Sequence, residues 1–192
     1  LGVSTLTVGL ALGARRSGTS AAVVDLAPCG GGLDLVAGVE TSEGMRWPDL
    51  DNARGELGDV AGKLPSVGGV PLLAHSREAP AAPSPDAVSA VITALARAHE
   101  VVLADCGREQ PSVPTDHVVL VVGADVRSVA AARMLSEARS ITPTAIVVRR
   151  GPGRSLPEQV VARTLGAPSL GQIGHHRALP RLSELGLLPV AG

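Results

Sequence analysis

The chain has 192 residues, of which 45% are hydrophobic and 18% are charged, so it is long and apolar enough for one domain with a sizeable core. Its formal net charge is −1, and a single Trp is the only residue among Phe, Trp and Tyr. The balanced charge argues against a surface that coats a polyanion, and the shortage of aromatic rings argues against base stacking on single-stranded nucleic acid.

Six short apolar runs are typical of β-strands. The first of them, residues 21–26, is continuous, as in a strand that is covered on both faces of a sheet. The runs occupy residues 21–26, 70–74, 101–105, 118–122, 145–148 and, more weakly, 169–173. Pro71 in the second run indicates the start of a strand or the edge of a sheet.

Segments with helical periodicity or capping signals lie between these strands. Leu6 and Leu10, one turn apart, predict the apolar face of a first helix. Further helices are predicted around 49–54 and 57–64, after Ser84, after Asp125, from Ser155 to Gly166, and through Leu179, Leu182 and Leu185. The alternation predicts an α/β fold with a mostly parallel sheet in a single domain, residues 1–192.

Capping residues predict where three of these helices begin. Ser84 is an N-cap residue followed by proline at the first helical position, and Asp125 can cap the next long helix. Ser155 with Glu158 matches a capping box. The predicted buried face of the helix after Asp125 carries Val126, Val129, Ala130 and Met134.

The first residues of the chain match the second half of a phosphate-binding loop. Gly2 lets the backbone approach a ligand closely, and Ser4 and Thr5 would begin the helix that follows. A P-loop needs glycines whose N–H groups cradle phosphates, a Lys for the β- and γ-phosphates, and a Ser/Thr hydroxyl for Mg²⁺. Val3 stands where the Lys belongs, so the motif is incomplete, and a glycine-containing turn before a core helix is the alternative.

Two predicted strands end in a carboxylate. Asp105 stands where a Walker B acid would hold Mg²⁺, directly or through water, and Asp25 has the same placement. In open parallel sheets, ligands bind outside the carboxyl ends of the strands. We therefore expect Gly2–Thr5, Asp25, Asp105 and the loop after Ile173 to lie at one edge of the sheet.

Three segments of the sequence resemble the ParA/MinD superfamily of P-loop ATPases. They are Gly2–Leu6, Val24–Asp34 and Gly44–Leu50. The first two resemble the superfamily, and the Arg-Trp-Pro-Asp-Leu string in the third resembles its CpaE-like branch, which includes the septum-site-determining proteins of actinobacteria. Val101–Arg108 fits the Walker B region of the superfamily.

This resemblance implies a three-layer, mostly parallel sheet of the P-loop NTPase type (SIMIBI, MinD-like). It also implies a nucleotide-sandwich homodimer that binds ATP or ADP with Mg²⁺ and helps to place division, pilus or secretion machinery. Gly2, Val3, Ser4 and Thr5 would face the phosphates, with Ser4 and Asp105 near Mg²⁺. Asp25 and Asp105 would organise the metal and the attacking water. Gly174 would lie near the base.

Several positions depart from the pattern of the family. Val3 replaces the P-loop Lys, Ala27 replaces a second Asp that helps to position water, and Gly174 replaces a usual Pro. Phosphoryl transfer depends on preorganised charges, and losing one such group typically costs about 2.7–4 kcal/mol. We therefore expect weak or absent hydrolysis and a degenerate nucleotide-binding protein that acts as a positional or regulatory factor.

Two enzyme functions remain as alternatives. One is an active Mg-ATPase of the same family whose lysine comes from upstream or from a partner. The other is a small-molecule ATP-dependent enzyme, such as a BioD-like synthetase, on the same fold. The latter would need polar substrate groups along the strand edge, and the sequence offers few of them.

Other chemically suggestive residues have plainer interpretations. Trp47 is expected to pack in the core, and Cys29 and Cys106 are expected to be free thiols in a reducing cytoplasm. His175 and His176 point in different directions and are expected to lie in an ordinary loop. The remaining cluster, expected to be a solvated loop, consists of Arg149, Arg150 and Arg154.

The ends of the chain suggest a fragment of a longer cytoplasmic protein. The sequence starts at Leu1 rather than Met, no run reaches the ~20 apolar residues of a membrane helix, and no secretory signal is visible. Membrane association would be peripheral at most. The family's P-loop strand would precede Leu1 and pair beside 101–105, so we expect the isolated 192 residues to be poorly stable.

Overall fold

The structure is a computed structural model that describes residues 2–27, 29–80, 82–109 and 114–184. Its described residues group into two compact units. The first unit contains residues up to 107 together with the described residues from 178 onwards, and the second contains residues 108–109 and 114–177. Each unit is described by itself below, and the single-domain organisation stays a prediction.

The first unit is built on a four-stranded sheet in the order β2-β3-β1-β4. Its strands are β1 (Ala21–Asp25), β2 (Ser66–Val67), β3 (Val70–Leu73) and β4 (Val101–Asp105). β1 pairs in parallel with both β3 and β4, while β2 runs antiparallel to β3. β1 is buried at all five positions, because it is an inner strand and both of its faces are covered.

Helices cover both faces of this sheet. They are α1 (Val3–Arg16), α2 (Leu33–Ala37) and α3 (Pro85–Ala98), while α6 (Leu179–Glu184) contacts α2. Ala21 and Val23 of β1 pack in a core cluster with α1 and α2, whereas Ala22 and Val24 pack with α3 and Trp47. Alternate residues of a strand face opposite sides, so the first unit has three layers.

The second unit is a parallel three-stranded sheet in the order β5-β6-β7. Its elements are β5 (Val119–Gly123), α4 (Val126–Ala138), β6 (Ala145–Arg149), α5 (Glu158–Leu165) and β7 (Ser169–Ile173). The α/β fold with a mostly parallel sheet is thus confirmed. None of the helices in the described ranges combines the length and the hydropathy that a bilayer crossing requires.

Predicted capping residues are confirmed at three helix ends. The Ser84 hydroxyl accepts a hydrogen bond from the Ala87 N–H at 3.3 Å, and Asp125 accepts one from the Ser128 N–H at 2.9 Å. Gly166 ends α5 in the left-handed region with φ 67°.

The cap on α3 has a measurable stability effect. Replacing Ser84 with Ala is expected to lower the free energy of unfolding by about 1 kcal/mol, because the Ala87 N–H loses its acceptor. Chemical denaturation would measure this loss. Ser89→Ala, at an exposed site on the same helix, is the control and should change stability far less. Equal effects of the two substitutions would contradict the capping argument.

The predicted buried faces of two helices are wrong. α1 buries Thr7, Val8, Ala11 and Leu12, whereas Leu10 is 51% exposed. In α4 only Val129 is buried, and Val126 and Met134 are at least 70% exposed. Both helices are rich in Ala or Gly and carry apolar residues around more than one face, so the spacing alone does not select the inner one.

The boundaries of several other helices also differ from the predicted ones. α5 begins at Glu158 after an N-cap Pro157 that makes no side-chain bond, so the Ser155 capping box is wrong. The proline disfavours helical backbone at Leu156, which keeps Ser155 outside the helix. The short helices predicted at 49–54 and 57–64 are 3₁₀ turns at Trp47–Leu50 and Ala61–Lys63. The closing helix is described to Glu184, so Leu185 lies outside the described residues.

Candidate functional site

The carboxyl ends of β1 and β4 bring two buried carboxylates side by side. Asp25 and Asp105 are paired in register on neighbouring parallel strands, and each is 2% exposed. Neighbouring strands lie about 4.8 Å apart, so both carboxylates belong to the same small region. The sequence prediction that these acids meet at one sheet edge is therefore satisfied by the structure.

Asp105 is linked to the first turn of α1. The Ser4 hydroxyl donates a hydrogen bond to Asp105 Oδ2 at 2.5 Å, and the Gly107 N–H donates to Asp105 Oδ1 at 2.9 Å. Ser4 and Asp105 are 101 residues apart in sequence, and the fold places them in direct contact. A hydroxyl beside a carboxylate is a pair of oxygen ligands of the kind that Mg²⁺ accepts.

The N-terminus of α1 has no side-chain cap. Gly2, at the N-cap position, has φ 105°, a left-handed conformation that glycine adopts at no steric cost. The first N–H groups of any helix lack intrahelical partners and carry the positive end of the helix dipole. Val3, Ser4 and Thr5 supply these groups here, so their backbone suits an anion although Val3 offers no charge.

Asp25 organises the loop that follows β1. Its Oδ1 accepts a hydrogen bond from the Ala27 N–H and its Oδ2 accepts one from the Leu33 N–H, both at 3.0 Å. Burial raises the pKa of Asp25, and the neighbouring Asp105 raises it further, while the two N–H donors and His75 oppose the shift. Both oxygens are therefore engaged by the backbone in this structure.

The raised pKa of Asp25 predicts a pH-dependent stability. Just above the ordinary pKa of 3.8, the folded protein holds the Asp25 proton more tightly than the unfolded chain does. The contribution of Asp25 to the free energy of unfolding should therefore fall as the pH rises through that window. The measurement is the stability difference between wild type and Asp25→Asn from pH 4 to 7. A difference that grows in favour of wild type with rising pH would contradict the assignment.

Trp47 contacts Asp25 from the face of the sheet opposite to α1 and α2. Its side chain is 1% exposed, which confirms the prediction that it packs in the core. Its indole Nε1–H donates to the backbone oxygen of Asp25 at 2.7 Å, and its ring lies 6.5 Å from that of His75. His75 Nε2 is buried without a hydrogen-bond partner among the described residues.

An ion pair that sequence reasoning missed joins two loops at this edge. Asp34, in the first turn of α2, has a side chain that is 2% exposed, and both of its oxygens bind the Arg77 guanidinium. The distances are 2.7 Å from Nη2 to Oδ1 and 3.0 Å from Nη1 to Oδ2. Asp34 raises the pKa of Arg77 through these bonds. The only sequence signal was an acid in an otherwise apolar first turn, which predicts no partner.

Two other predicted residues, Gly174 and Cys106, make no contact that points to a ligand. Gly174 follows β7 in the second unit and has no atoms within 4 Å of the position of an added Cβ. Cys106 is a free thiol whose pKa burial raises to about 11, so it is a poor nucleophile at neutral pH. Within the described ranges, no three His, Cys, Asp or Glu residues are placed to share a metal ion.

A basic loop lies beside the N-terminus of α4 in the second unit. Arg154 Nε lies 3.2 Å from Asp125 Oδ2, next to a cavity of about 550 Å³ that Arg127 and Ser128 also line. Asp125 also accepts hydrogen bonds from the hydroxyl and the backbone N–H of Ser128, which lower its pKa. The Asp125 carboxylate therefore already accepts the hydrogen bonds available at the N-terminus of α4. His175 and His176 are exposed after β7, as expected of an ordinary loop.

The sequence of this chain is similar to sequences of other proteins, although no protein-family model matches it. It is 37% identical over 196 aligned positions to an uncharacterized protein of Mycobacterium tuberculosis, found in strains H37Rv and CDC 1551. The alignment covers 95% of this chain and 53% of the relative, so the chain spans about half the length of the curated relatives it matches.

Solved structures show a common architecture. The MinC:MinD cell division complex of Aquifex aeolicus matches with a TM-score of 0.74 and 20% identity, over 97% of this chain and 81% of that one. A ParA family ATPase from Chlorobium tepidum matches with 0.76 and 18%, over 98% and 85%. MinD from Pyrococcus horikoshii, complexed with Mg-ADP, matches with 0.71 and 17%, over 97% and 81%. The chain therefore has the fold of the MinD and ParA ATPases.

Proposed function

We propose that this chain is part of a degenerate nucleotide-binding protein of the ParA/MinD superfamily, in its CpaE-like branch, that acts as a positional or regulatory factor. One observation carries the proposal. The hydroxyl of Ser4 donates to the buried Asp105 at the uncapped N-terminus of α1. This arrangement offers backbone N–H groups to phosphate and two oxygens to a metal in the same place.

The residues present fit a nucleotide with Mg²⁺ better than they fit a working ATPase. The first-turn N–H groups of α1 would hold phosphate, and Ser4 and Asp105 would hold Mg²⁺ directly or through water. The metal would supply charge neutralisation on the phosphates. Val3 contributes no cation, and Ala27 has no group that could position water. Binding without appreciable hydrolysis is the function that this set of side chains supports best.

Similar proteins supply the biological context of the proposal. Among the structural neighbours, one MinD is complexed with Mg-ADP and another is in complex with MinC. By analogy, we propose a cytoplasmic homodimer that recruits division, pilus or secretion proteins, with septum placement as the leading role. Because the curated relatives are about twice as long as this stretch, the activity of the whole protein is part of the proposal.

Calorimetric titration of the full-length protein that contains these residues tests the proposal. With Mg²⁺ present, ADP or ATP is expected to bind with Kd below ~100 μM, or about −5.5 kcal/mol. Ser4→Ala and Asp105→Asn should each weaken binding about tenfold or more, whereas Ser89→Ala on the exposed face of α3 should not. Absence of binding at millimolar nucleotide would overturn the proposal and direct attention to protein partners alone.

The two enzyme alternatives predict different results in the same assays. An active Mg-ATPase would show turnover that Asp105→Asn abolishes. A small-molecule synthetase would show nucleotide turnover only when a second substrate is added. The carboxylates of Asp25 and Asp34 are already engaged by protein donors, which leaves few polar groups for such a substrate.

A further inference from the structure

The peptide group between Asp25 and Leu26 is hydrogen-bonded on both of its sides. Its C=O accepts the buried hydrogen bond from Trp47 Nε1–H at 2.7 Å, and its N–H donates to the backbone oxygen of Asp105 at 2.8 Å. A peptide group is planar, and in its trans form the C=O and the N–H point in opposite directions. This one peptide group therefore lies between the indole of Trp47 and the end of β4.

Asp105, on the far side of that peptide group, is also the residue that contacts α1. Its Oδ2 accepts a hydrogen bond from the Ser4 hydroxyl at 2.5 Å, and its Oδ1 accepts one from the Gly107 N–H at 2.9 Å. Both bonds are short and come from different segments, so they tolerate little displacement of the Asp105 backbone. A change in the orientation of the peptide group after Asp25 would therefore move the Asp105 carboxylate relative to Ser4.

Trp47 is itself held in place within the Arg-Trp-Pro-Asp-Leu string, residues 46–50. Its backbone N–H donates to the Ala74 oxygen at 3.1 Å, just past the end of β3, and Asp49 Oδ2 accepts from the Arg46 N–H at 2.8 Å. The indole is 1% exposed, so its N–H is shielded from water. Leaving this donor unpaired would be unfavourable, and the backbone oxygen of Asp25 is the acceptor that it reaches.

Filling the core at position 47 does not by itself require tryptophan. Other large side chains buried in the same core cluster are aliphatic, among them Leu73 and Leu95, and the chain contains no Phe or Tyr. Tryptophan differs from these residues because it combines an apolar body with a single N–H donor. Here that donor binds the strand end that carries Asp25. The hydrogen bond is therefore the contribution that an aliphatic residue could not make.

We propose that Trp47 is a positioning residue for the candidate Mg²⁺ site, which it orients through the peptide group after Asp25 and the backbone of Asp105. The inference rests on the proposed function for the identity of the metal ion. The indole fixes the peptide group, the peptide group fixes the end of β4, and the Asp105 carboxylate then faces Ser4. The string at residues 46–50 thus acts on the site from outside the first turn of α1.

Hydrogen exchange at single-residue resolution, on the full-length protein without nucleotide, tests this series of contacts. Trp47→Phe keeps most of the apolar volume and removes the donor. It should speed exchange of the Leu26 and Gly107 amides about tenfold or more relative to the amides of residues 22–24 within β1. The β1 amides correct for any loss of global stability. Equal acceleration at all of these positions, or no acceleration at Leu26, would overturn the inference.

Leu95→Ala is the matched control, because Leu95 is 0% exposed and packs in the same core cluster as Trp47. It lies in the last turn of α3, near the start of β4 and away from the end that carries Asp105. The variant should lower stability and leave the ratio of Leu26 to β1 exchange rates unchanged. A ratio raised as much as in Trp47→Phe would overturn the inference, since packing alone would then explain the effect.

A shape-matched analogue covers the case in which Trp47→Phe does not fold. The benzothiophene analogue of tryptophan, introduced at position 47, keeps the fused-ring shape and lacks the N–H donor. It should raise the same ratio of exchange rates, and an unchanged ratio would overturn the inference.

Nucleotide binding separates this inference from the proposed function. In calorimetry, Trp47→Phe should weaken binding of Mg-ADP about fivefold or more and change binding of ADP in excess EDTA less than about twofold, because Asp105 contributes only with the metal. Leu95→Ala should change neither affinity. Equal weakening with and without Mg²⁺ would overturn the role of Trp47 at the metal site. A wild-type protein that binds no nucleotide would overturn the proposed function, and the exchange rates would then decide whether Trp47 positions Asp105.

Discussion

Replacing Trp47 with Ala is expected to lower the free energy of unfolding by about 3–5 kcal/mol, the largest stability loss expected from a single core substitution in this chain. The indole is 1% exposed and packs against residues of β1, β3 and α3. Its removal would leave a cavity and would also take away the hydrogen bond from Nε1 to the Asp25 backbone oxygen. Chemical denaturation monitored by circular dichroism would measure the loss.

Two further variants separate packing from hydrogen bonding. Trp47→Phe keeps most of the apolar volume and loses the N–H donor, so its effect should fall between those of wild type and Trp47→Ala. Leu10→Ala, at a side chain that is 51% exposed on α1, should change stability by less than about 1 kcal/mol. A Trp47→Ala variant as stable as Leu10→Ala would show that the indole does not support the core as described.

Each missing preorganised group is expected to lower ATP turnover about 10²–10³-fold relative to a P-loop ATPase that carries the loop lysine. Val3 supplies no charge to the transferred phosphoryl group, and Ala27 has no carboxylate that could position water. Release of inorganic phosphate by the full-length protein at saturating Mg-ATP would measure it. Asp105→Asn is the matched control.

Turnover in wild type and in Asp105→Asn should be indistinguishable from background. A wild-type rate comparable to that of an ordinary ParA-type ATPase, and lost in Asp105→Asn, would contradict the assignment of a degenerate site. It would favour the alternative in which a lysine from elsewhere completes the loop. The binding measurement does not depend on this outcome, because a site can bind nucleotide without hydrolysing it.

Local signals were sufficient for much of the fold. The apolar runs of β1, β4, β5 and β6 predict strands because each is short and nearly continuous, although among these four only β1 is buried at every position. Ser84, Asp125 and Gly166 mark helix ends because each satisfies backbone groups within a few residues. Both site carboxylates were found for the same reason, since each stands directly at the end of an apolar run.

Contacts between residues far apart in the chain could not be predicted from the sequence. The Asp34–Arg77 pair joins residues 43 positions apart, and nothing near either residue identifies the other. The inner faces of α1 and α4 depend on how each helix rotates against its sheet. The β2 strand has only two residues and exists because it pairs with β3. Each of these features is decided by tertiary packing.

The two methionines of the chain differ in exposure, so their oxidation can be compared by chemical footprinting. Met134 is 70% exposed on α4, whereas Met45 packs against the core of the first unit. Mild peroxide should therefore convert Met134 to the sulfoxide well before Met45. In a whole-cell preparation, the ratio of the two oxidation levels would report whether another molecule covers α4, with Met45 as the internal standard.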